Sequence, residues 1–508
     1  SIEYHAGRNQ FSHWLRTRSE FSLAAGMRPK KIGDFDTTEG IRKYIANSVR
    51  SYIAQVRMRT IGDYDAKREG AGFQRIGRGS LGGKGRGLAF LFTRMLDLGL
   101  GSEFPDVEFV VPRSVVIGTD VFEEFVEDNG LGRFAHEDHE DEEVNEAFLD
   151  AGFTEEMVQK ISVMLQQTKW PLAVRSSSLL EDSSHQPFAG VYATYMLAND
   201  HPDPMVRLNR VLEAIKLVYA STYYRRAKAY VAATPSTIED ERMAVVIQDL
   251  VGDEVNGRFY PTISGAARSR NHYPIEPLVA EDGIAAICIG LGRQVSNGGK
   301  CLRYSPGQPR RIHQFHSNQA TLDTSQRNFF AIPMRQEDGR VHAAEEDNLL
   351  NLSLAEAEED GCLALVGSTY VVSDDRMVDS LAVDGGPRVV TFAPVLKHGR
   401  FPLSEILSHV LNTCQNYIGS PVELEFAMSI NQDSGKRRFA ILQVRPMMEE
   451  SVDIDIDLAD VDRSKAMCIC SQSLGNGVIE GIRDVVYVHP ERLDRMRTTD
   501  LISEISAI

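Results

Sequence analysis

The sequence has no apolar run long enough to cross a bilayer, which takes about 20 consecutive apolar residues. Basic residues are in the minority, because 55 Lys and Arg oppose 72 Asp and Glu and the formal net charge is −17. Such an excess of negative charge disfavours binding to nucleic acid and to anionic membrane surfaces. We therefore expect neither as the principal partner of this chain.

Cysteine is scarce as well, with six among 508 residues. The single residue between Cys468 and Cys470 suits neither a disulfide nor a zinc site, so reduced thiols and a cytoplasmic location are predicted. The first residues, Ser1–His5, do not begin a basic region followed by an apolar stretch, so they do not resemble a signal peptide. The chain begins with Ser rather than Met, which favours a processed chain or a fragment.

The length is typical of about three domains or subdomains with a sizeable core. Apolar residues recur at helical spacing from Ile41 to Val56, and strand-like and helix-like segments alternate after about residue 75. We predict four regions: a helical N-terminal extension over 1–60, a first subdomain over 61–240, a second part over 241–450 that includes an inserted subdomain at 307–385, and the start of a further domain over 451–508.

Four polar side chains share one face of two predicted strands near the C-terminal end: Glu423, Glu425, Gln443 and Arg445. If the strands at 422–426 and 439–446 pair as a hairpin, these groups line a single surface. Closely spaced, partly buried carboxylates need a compensating cation, and Mg²⁺ that carries phosphate ligands is a suitable one. A cross-strand ladder of salt bridges explains the same pattern, and the hairpin alone does not choose between the two.

A glycine-rich segment, Gly82–Gly85, precedes the helical run Leu88–Phe92. Glycines let backbone N–H groups approach an anion, a helix N-terminus favours negative charge, and Lys84 adds a point charge. The spacing of a Walker A loop is absent. Phosphate binding and a plain turn therefore both remain open at this point.

A third segment places Arg175 at the end of an apolar strand, followed by Ser176 and Ser177. An arginine there can bind phosphate through two N–H groups, with hydroxyl groups beside it. The residues Gly190–Thr194 follow a loop. A strand end closed by a serine-type turn is the structural alternative.

These segments together resemble the ATP-binding N-terminal module shared by phosphoenolpyruvate synthase, pyruvate phosphate dikinase, rifampin phosphotransferase and the glucan-water dikinases. The family pattern runs Gly-Gly-Lys-Gly, Val-Arg-Ser-Ser, Phe-Ala-Gly-x-x-x-Thr, a Gln-containing strand, Gly-Leu-Gly, Glu and Gln-x-Arg-Pro. The matching positions occur in the same order over roughly residues 75–450: 82–85, 174–177, 188–194, 246–248, 290–292, 425 and 443–446.

The resemblance implies an α+β fold, an ATP-grasp-like nucleotide-binding module that uses ATP and Mg²⁺. Lys84 and Arg175 would clamp phosphate oxygens as catalytic residues, and Arg445 would stabilise the charge that develops during transfer. Gly82 and Gly83 would contact the phosphates. The loop that includes Gly190 and Thr194 would close over them.

The same resemblance implies that Glu425 and Gln443, with Glu423, hold Mg²⁺. It places Gln248 beside the adenine or ribose, next to an apolar strand. A further group of candidates lies in or just after the Arg175 segment: Ser176, Ser177 and Asp182.

The sequence departs from the family pattern at two points. Residues 266–270 replace the Phe-Thr that usually follows Ser-Gly, and residues 297–306 are unlike those of phosphoenolpyruvate synthase. The Thr-Cys/Ser-His-Ala motif of the swivelling phosphohistidine domain is absent, although residues 471–481 resemble the opening of that domain. We therefore expect a divergent branch with an unassigned acceptor.

The resemblance implies transfer of the β-phosphoryl group of ATP to a histidine outside this segment, with AMP as a product. The partner would be a phosphohistidine domain, in the same polypeptide or on a partner subunit. Two other classes remain open. A carboxylate–amine ligase would form an acyl phosphate and ADP, and a non-catalytic ATP sensor or scaffold would form neither AMP nor ADP.

Overall fold

The computed structural model describes residues 35, 37–46, 62–65, 72–94, 98–135, 137–178, 190–232, 238, 241–335, 340–383, 386–431, 434–447, 464–467, 483 and 485–487. The chain divides into two compact units, Ser1–Met448 and Glu449–Ile508. Within the predicted N-terminal extension, residues 38–46 are helical. Most of the predicted region 451–508 lies outside the described residues, as does Asp182.

A first sheet of six strands has helices packed against it. Its strands lie in the order Gly62–Asp63, Phe73–Ile76, Ser114–Ile117, Ala244–Asp249, Leu172–Ser177 and Thr194–Leu197. The accompanying helices are Thr119–Asp128, Asp141–Asp150, Glu155–Gln166, Pro204–Ala220 and Arg225–Ala232. The longest begins with Asp203, whose side chain accepts from the Met205 N–H, and with Pro at its first position. Its apolar face enters the same core as the sheet.

A second sheet of six strands carries the predicted hairpin. Its order is Leu302–Tyr304, Ile284–Cys288, Ile263–Arg268, Val422–Ile430, Arg437–Pro446 and Val107–Val110. The hairpin register pairs Glu423 with Arg445 and Glu425 with Gln443, so the prediction of one shared polar face is confirmed. Both strands run further than the sequence indicated, and a β-bulge follows Glu425.

The opposite face of the second sheet is apolar and closes the core. Val422, Leu424 and Phe426 are fully buried there. The helix Leu403–Ile418 packs on the hairpin and buries Leu407, Val410 and related side chains. The alternation of polar and apolar residues along Val422–Ile430 thus separates the candidate site from the core.

Two smaller sheets complete the described fold. One has the order Leu350–Ser353, Asn328–Pro333, Arg258–Tyr260 and Asp253–Val255, and the other has the order Arg376–Val378, Gly367–Val371 and Arg388–Val390. The remaining helices are short: Leu100–Glu103, Arg293–Ser296, Asn318–Thr324, Leu354–Glu359 and Ala393–Leu396. Phe329, Ala331 and Leu363 belong to the same hydrophobic core as the second sheet. Among the described residues, no helix is long and apolar enough to span a bilayer.

The glycine-rich segment is not a loop that leads into a helix, as the sequence suggested, but the first turns of the helix Gly82–Arg94 itself. Gly82 has a φ of 66°, and a Cβ atom there would lie 1.7 Å from the Ser177 carbonyl oxygen. At Gly87 a Cβ atom would lie 2.3 Å from the Val444 carbonyl oxygen. The glycines therefore allow this helix to contact both sheets closely.

We predict that Gly87→Ala lowers the free energy of unfolding by about 1–3 kcal/mol, because the added methyl group displaces the helix from the strand Arg437–Pro446. Urea unfolding measures the effect. Gly101→Ala is the matched control, since it also lies in a helix and a Cβ atom there meets nothing within 4 Å. Equal stability of the two variants would contradict the close approach.

Candidate functional site

Arg175 joins the two large sheets. Its Nη2 atom donates to Glu425 Oε2 at 2.6 Å and to Gln443 Oε1 at 3.0 Å. Its Nη1 atom lies 3.5 Å from Gln248 Oε1. The Arg175 side chain is 13 % exposed and that of Glu425 is 38 % exposed, so the pair lines a cleft that solvent reaches from the carboxylate side.

Strand register explains why these groups meet. In the first sheet Ala173 lies opposite Gln248, and Arg175 is two residues further along the same strand. Arg175 and Gln248 therefore project from the same face. In the second sheet Glu425 lies directly opposite Gln443. Four side chains from four strands are thus brought together at the junction of the sheets.

The charge state of Glu425 follows from its neighbours. Burial raises the pKa of the Glu425 carboxyl, but the Arg175 guanidinium, together with Lys84 and Arg445, outweighs burial and holds the pKa below its ordinary value. The carboxylate is therefore ionised at neutral pH. An ionised carboxylate in this cleft requires a cation beside it.

Lys84 approaches the same cleft from the helix Gly82–Arg94. It is 9 % exposed, and its Nζ atom lies 3.4 Å from Ser176 Oγ. Ser177 Oγ accepts from the Gly85 N–H at 3.0 Å and donates to the Leu81 carbonyl at 2.8 Å. Ser176 and Ser177 thus connect the Arg175 strand to the Lys84 helix.

The backbone N–H groups at the start of this helix already have protein acceptors. The Gly83 N–H donates to the Ser178 carbonyl at 3.0 Å, and the Gly82 N–H donates to Ser80 Oγ at 3.2 Å. The sequence predicted that such groups approach a phosphate. In this structure a phosphate can reach them only if these hydrogen bonds open.

Glu423 is compensated by two arginines. Its Oε1 atom accepts from Arg445 Nη2 at 2.7 Å, and its Oε2 atom accepts from Arg268 Nε at 2.5 Å. Sequence reasoning did not include Arg268 in the site. The available signal was its place in the segment 266–270, which departs from the family pattern, but its pairing with Glu423 depends on the register of distant strands.

The other predicted site residues lie around this cleft. Gln248 is buried, and its Nε2 atom lies 3.4 Å from Ser114 Oγ and 3.3 Å from the Leu442 carbonyl. Thr194 lies opposite Arg175 in the first sheet, and Gly190 is exposed with a φ of 82°. The roles predicted for Gln248, Gly190 and Thr194 toward a nucleotide stay predictions.

The donor set at the centre of the cleft fits Mg²⁺. Glu425 Oε2 and Gln443 Oε1 both contact one cationic atom, Arg175 Nη2, so this oxygen pair is placed to share a single cation. Oxygen donors of this kind, completed by phosphate oxygens and water, are what Mg²⁺ requires. Glu423 is less suited, because both of its oxygens accept from arginine. No group of three His, Cys, Asp or Glu residues in the described part of the chain forms a self-sufficient metal site.

This site lies in a mixed α/β fold and consists of a basic cleft with a pair of oxygen donors. The family described as "Pyruvate phosphate dikinase, AMP/ATP-binding domain" matches residues 78–465, and the chain belongs to this family. The resemblance read from the motifs is thereby confirmed.

A relative supports the same class. The "Uncharacterized phosphotransferase YvkC" of Bacillus subtilis (strain 168) is 22 % identical to this chain over 359 residues. The similarity covers 70 % of this chain and 33 % of YvkC. The chain thus corresponds to about a third of the length of that relative.

We predict that Glu425→Gln lowers the free energy of unfolding at neutral pH. The difference in this free energy between the parent chain and the variant should become smaller in acid. The folded-state pKa of Glu425 is depressed, so its contribution is complete above the unfolded pKa of about 4.3 and is lost as the pH falls through the folded-state pKa. Urea unfolding between pH 7 and pH 3 measures this. Glu124→Gln, on the exposed face of the helix Thr119–Asp128, is the control. A difference that is independent of pH would contradict the ionised Glu425–Arg175 pair.

Proposed function

We propose that the chain is the Mg-ATP-binding phosphotransferase module of a dikinase-type enzyme. In this proposal it transfers the β-phosphoryl group of ATP to a histidine outside this segment, and AMP is released. The observation that carries the proposal is the contact of Arg175 with both Glu425 and Gln443. It brings three motifs separated by up to 268 residues into one cleft, whose groups are proposed to bind phosphate and metal.

The cations of the cleft suit a triphosphate. Arg175 and Lys84 approach it from the first sheet and its adjoining helix, whereas Arg445 and Arg268 approach it from the second sheet. Phosphoryl transfer depends on positioning and on neutralising charge, and it requires no covalent nucleophile on this module. In the proposal Lys84 and Arg175 bind phosphate oxygens, while Glu423 fixes the guanidinium of Arg445 toward the transferred group.

The metal would be held by Glu425 and Gln443. When bound, Mg²⁺ neutralises charge on the phosphate oxygens. A triphosphate supplies new anionic partners for Arg175, so the guanidinium can release Glu425 without remaining uncompensated. The chain's own part is to provide two oxygen donors on adjacent strands at a fixed spacing.

The nucleoside would lie on the other side of the metal-binding pair. There Val251, Ala427 and Ala440 form a small apolar cluster, with Leu442 packed against it. Apolar walls suit a purine. Gln248, which donates to the Leu442 carbonyl, is proposed to contact the adenine or ribose.

We expect Lys84→Ala and Arg175→Ala each to weaken Mg-ATP binding by one to two orders of magnitude, because a lost charge-assisted contact costs roughly 1.5–3 kcal/mol. Calorimetric titration measures the affinity. Lys436→Ala and Arg400→Ala remove the same charge types from exposed positions and should bind normally. Unchanged affinity in both folded site variants would refute the phosphate-binding role.

ATP labelled at the β-phosphate tests the reaction itself. Alone, the chain should turn over ATP slowly or not at all, since the sequence lacks the phosphohistidine motif. With a phosphohistidine domain from its own full-length protein or a partner subunit, it should release AMP and leave the label on the histidine. Label retained in ADP would favour a simple kinase or a carboxylate–amine ligase. Binding of ATP without either product would favour a sensor.

A further inference from the structure

A cavity of about 670 Å³ lies at the edge strand Leu302–Tyr304 of the second sheet. Its volume is that of a site for a small organic ligand, typically 300–1,000 Å³. Neither the proposed phosphate contacts nor the proposed metal ligands belong to its lining. Its lining includes both apolar and cationic side chains, and this combination indicates what the cavity binds.

One part of the lining is apolar and faces solvent. Tyr273 is 44 % exposed and Ile275 is 54 % exposed, and Ile284 continues the surface onto the sheet. Large apolar side chains that line a concave site favour a ligand with an apolar body.

Another part of the lining is cationic. Lys300, Arg303 and Arg311 line it, and among the described residues no carboxylate lies within ion-pair distance of any of the three. Asp323 is the one acidic residue in the described lining, and its carboxylate accepts from Gln319, while Lys300 donates to its backbone carbonyl at 2.6 Å. Three cations without carboxylate partners are notable in a chain of net charge −17.

From this combination of apolar and cationic lining residues we infer that the cavity binds a small organic anion, in which a flat or branched apolar body carries a phosphate or carboxylate group. Arg303 and Arg311 are exposed and present guanidinium groups, whose planar N–H donors match either oxyanion. The body packs on Tyr273 and Ile275.

The cavity is a second site and not an extension of the nucleotide cleft. Glu425, Ala266, Ala286 and Arg303 lie opposite one another on four successive strands. Three steps of about 4.8 Å separate Glu425 from Arg303 by about 14 Å. The cavity lining also shares no residue with the Arg175–Glu425 contact, and this inference does not depend on the proposed function.

Binding of 1-naphthyl phosphate to the 508-residue chain tests the inference. Calorimetry should show saturable binding. 1-naphthol or inorganic phosphate alone should bind at least about tenfold more weakly, because the first lacks the phosphate group and the second lacks the apolar ring. Arg303→Gln and Arg311→Gln should each weaken binding by about tenfold. Arg400→Gln, an exposed arginine outside the cavity, is the control. Both site arginines are exposed, so the variants should unfold at the temperature of the parent chain.

Three results would overturn the inference. The first is the absence of saturable binding by 1-naphthyl phosphate. The second is equal affinity in the parent chain, Arg303→Gln and Arg311→Gln. The third is complete displacement of 1-naphthyl phosphate by saturating Mg-ATP, which would place the probe in the nucleotide cleft. Simultaneous binding of both ligands, with loss of only the probe in the arginine variants, supports a separate site.

Discussion

The contact between Arg175 and Glu425 is the constraint on which the rest of the described structure depends. Each group carries a charge that is costly to remove from water, and the direct ion pair between them exists only while the two large sheets keep their present positions. The geometry of the site therefore depends on the relative placement of the two sheets. If either partner is lost, the other loses its direct ion pair in the cleft.

The same principle extends to the whole cleft, because its predicted ligand-binding groups satisfy one another. Lys84 lies beside Ser176, the Gly83 N–H binds the Ser178 carbonyl, and Glu423 is shared by two arginines. A ligand must therefore displace some of these partners and present a group of the same charge in their place. A triphosphate can replace a carboxylate beside arginine, and a divalent cation can replace a guanidinium beside Glu425. This exchange of partners explains how a closely hydrogen-bonded cleft can still be a binding site.

Local sequence patterns predicted the hairpin. Contacts between residues far apart in the chain determined the features that the sequence did not predict. Alternation along 422–426 and 439–446 fixes which side chains share a face, and one buried face fixes the register, so Glu425 and Gln443 were correctly placed together. Glycine is a poor helix former, so Gly82–Gly85 suggested a turn. Hydrogen bonds that the Gly85 and Gly83 N–H groups donate to Ser177 and Ser178, almost a hundred residues away, overrode that preference. Arg268 was missed for the same reason, since its carboxylate partner lies 155 residues further along the chain.

The charged groups of the cleft are mainly positive. Four cations, Lys84, Arg175, Arg268 and Arg445, face the carboxylates Glu423 and Glu425 there. The chain as a whole is strongly acidic. An acidic exterior repels polyanions, while a basic concave surface focuses the field on small anions that can enter. The acidic composition that disfavours nucleic acid as a partner is thus compatible with an anionic nucleotide as ligand, because four cations are concentrated in the cleft.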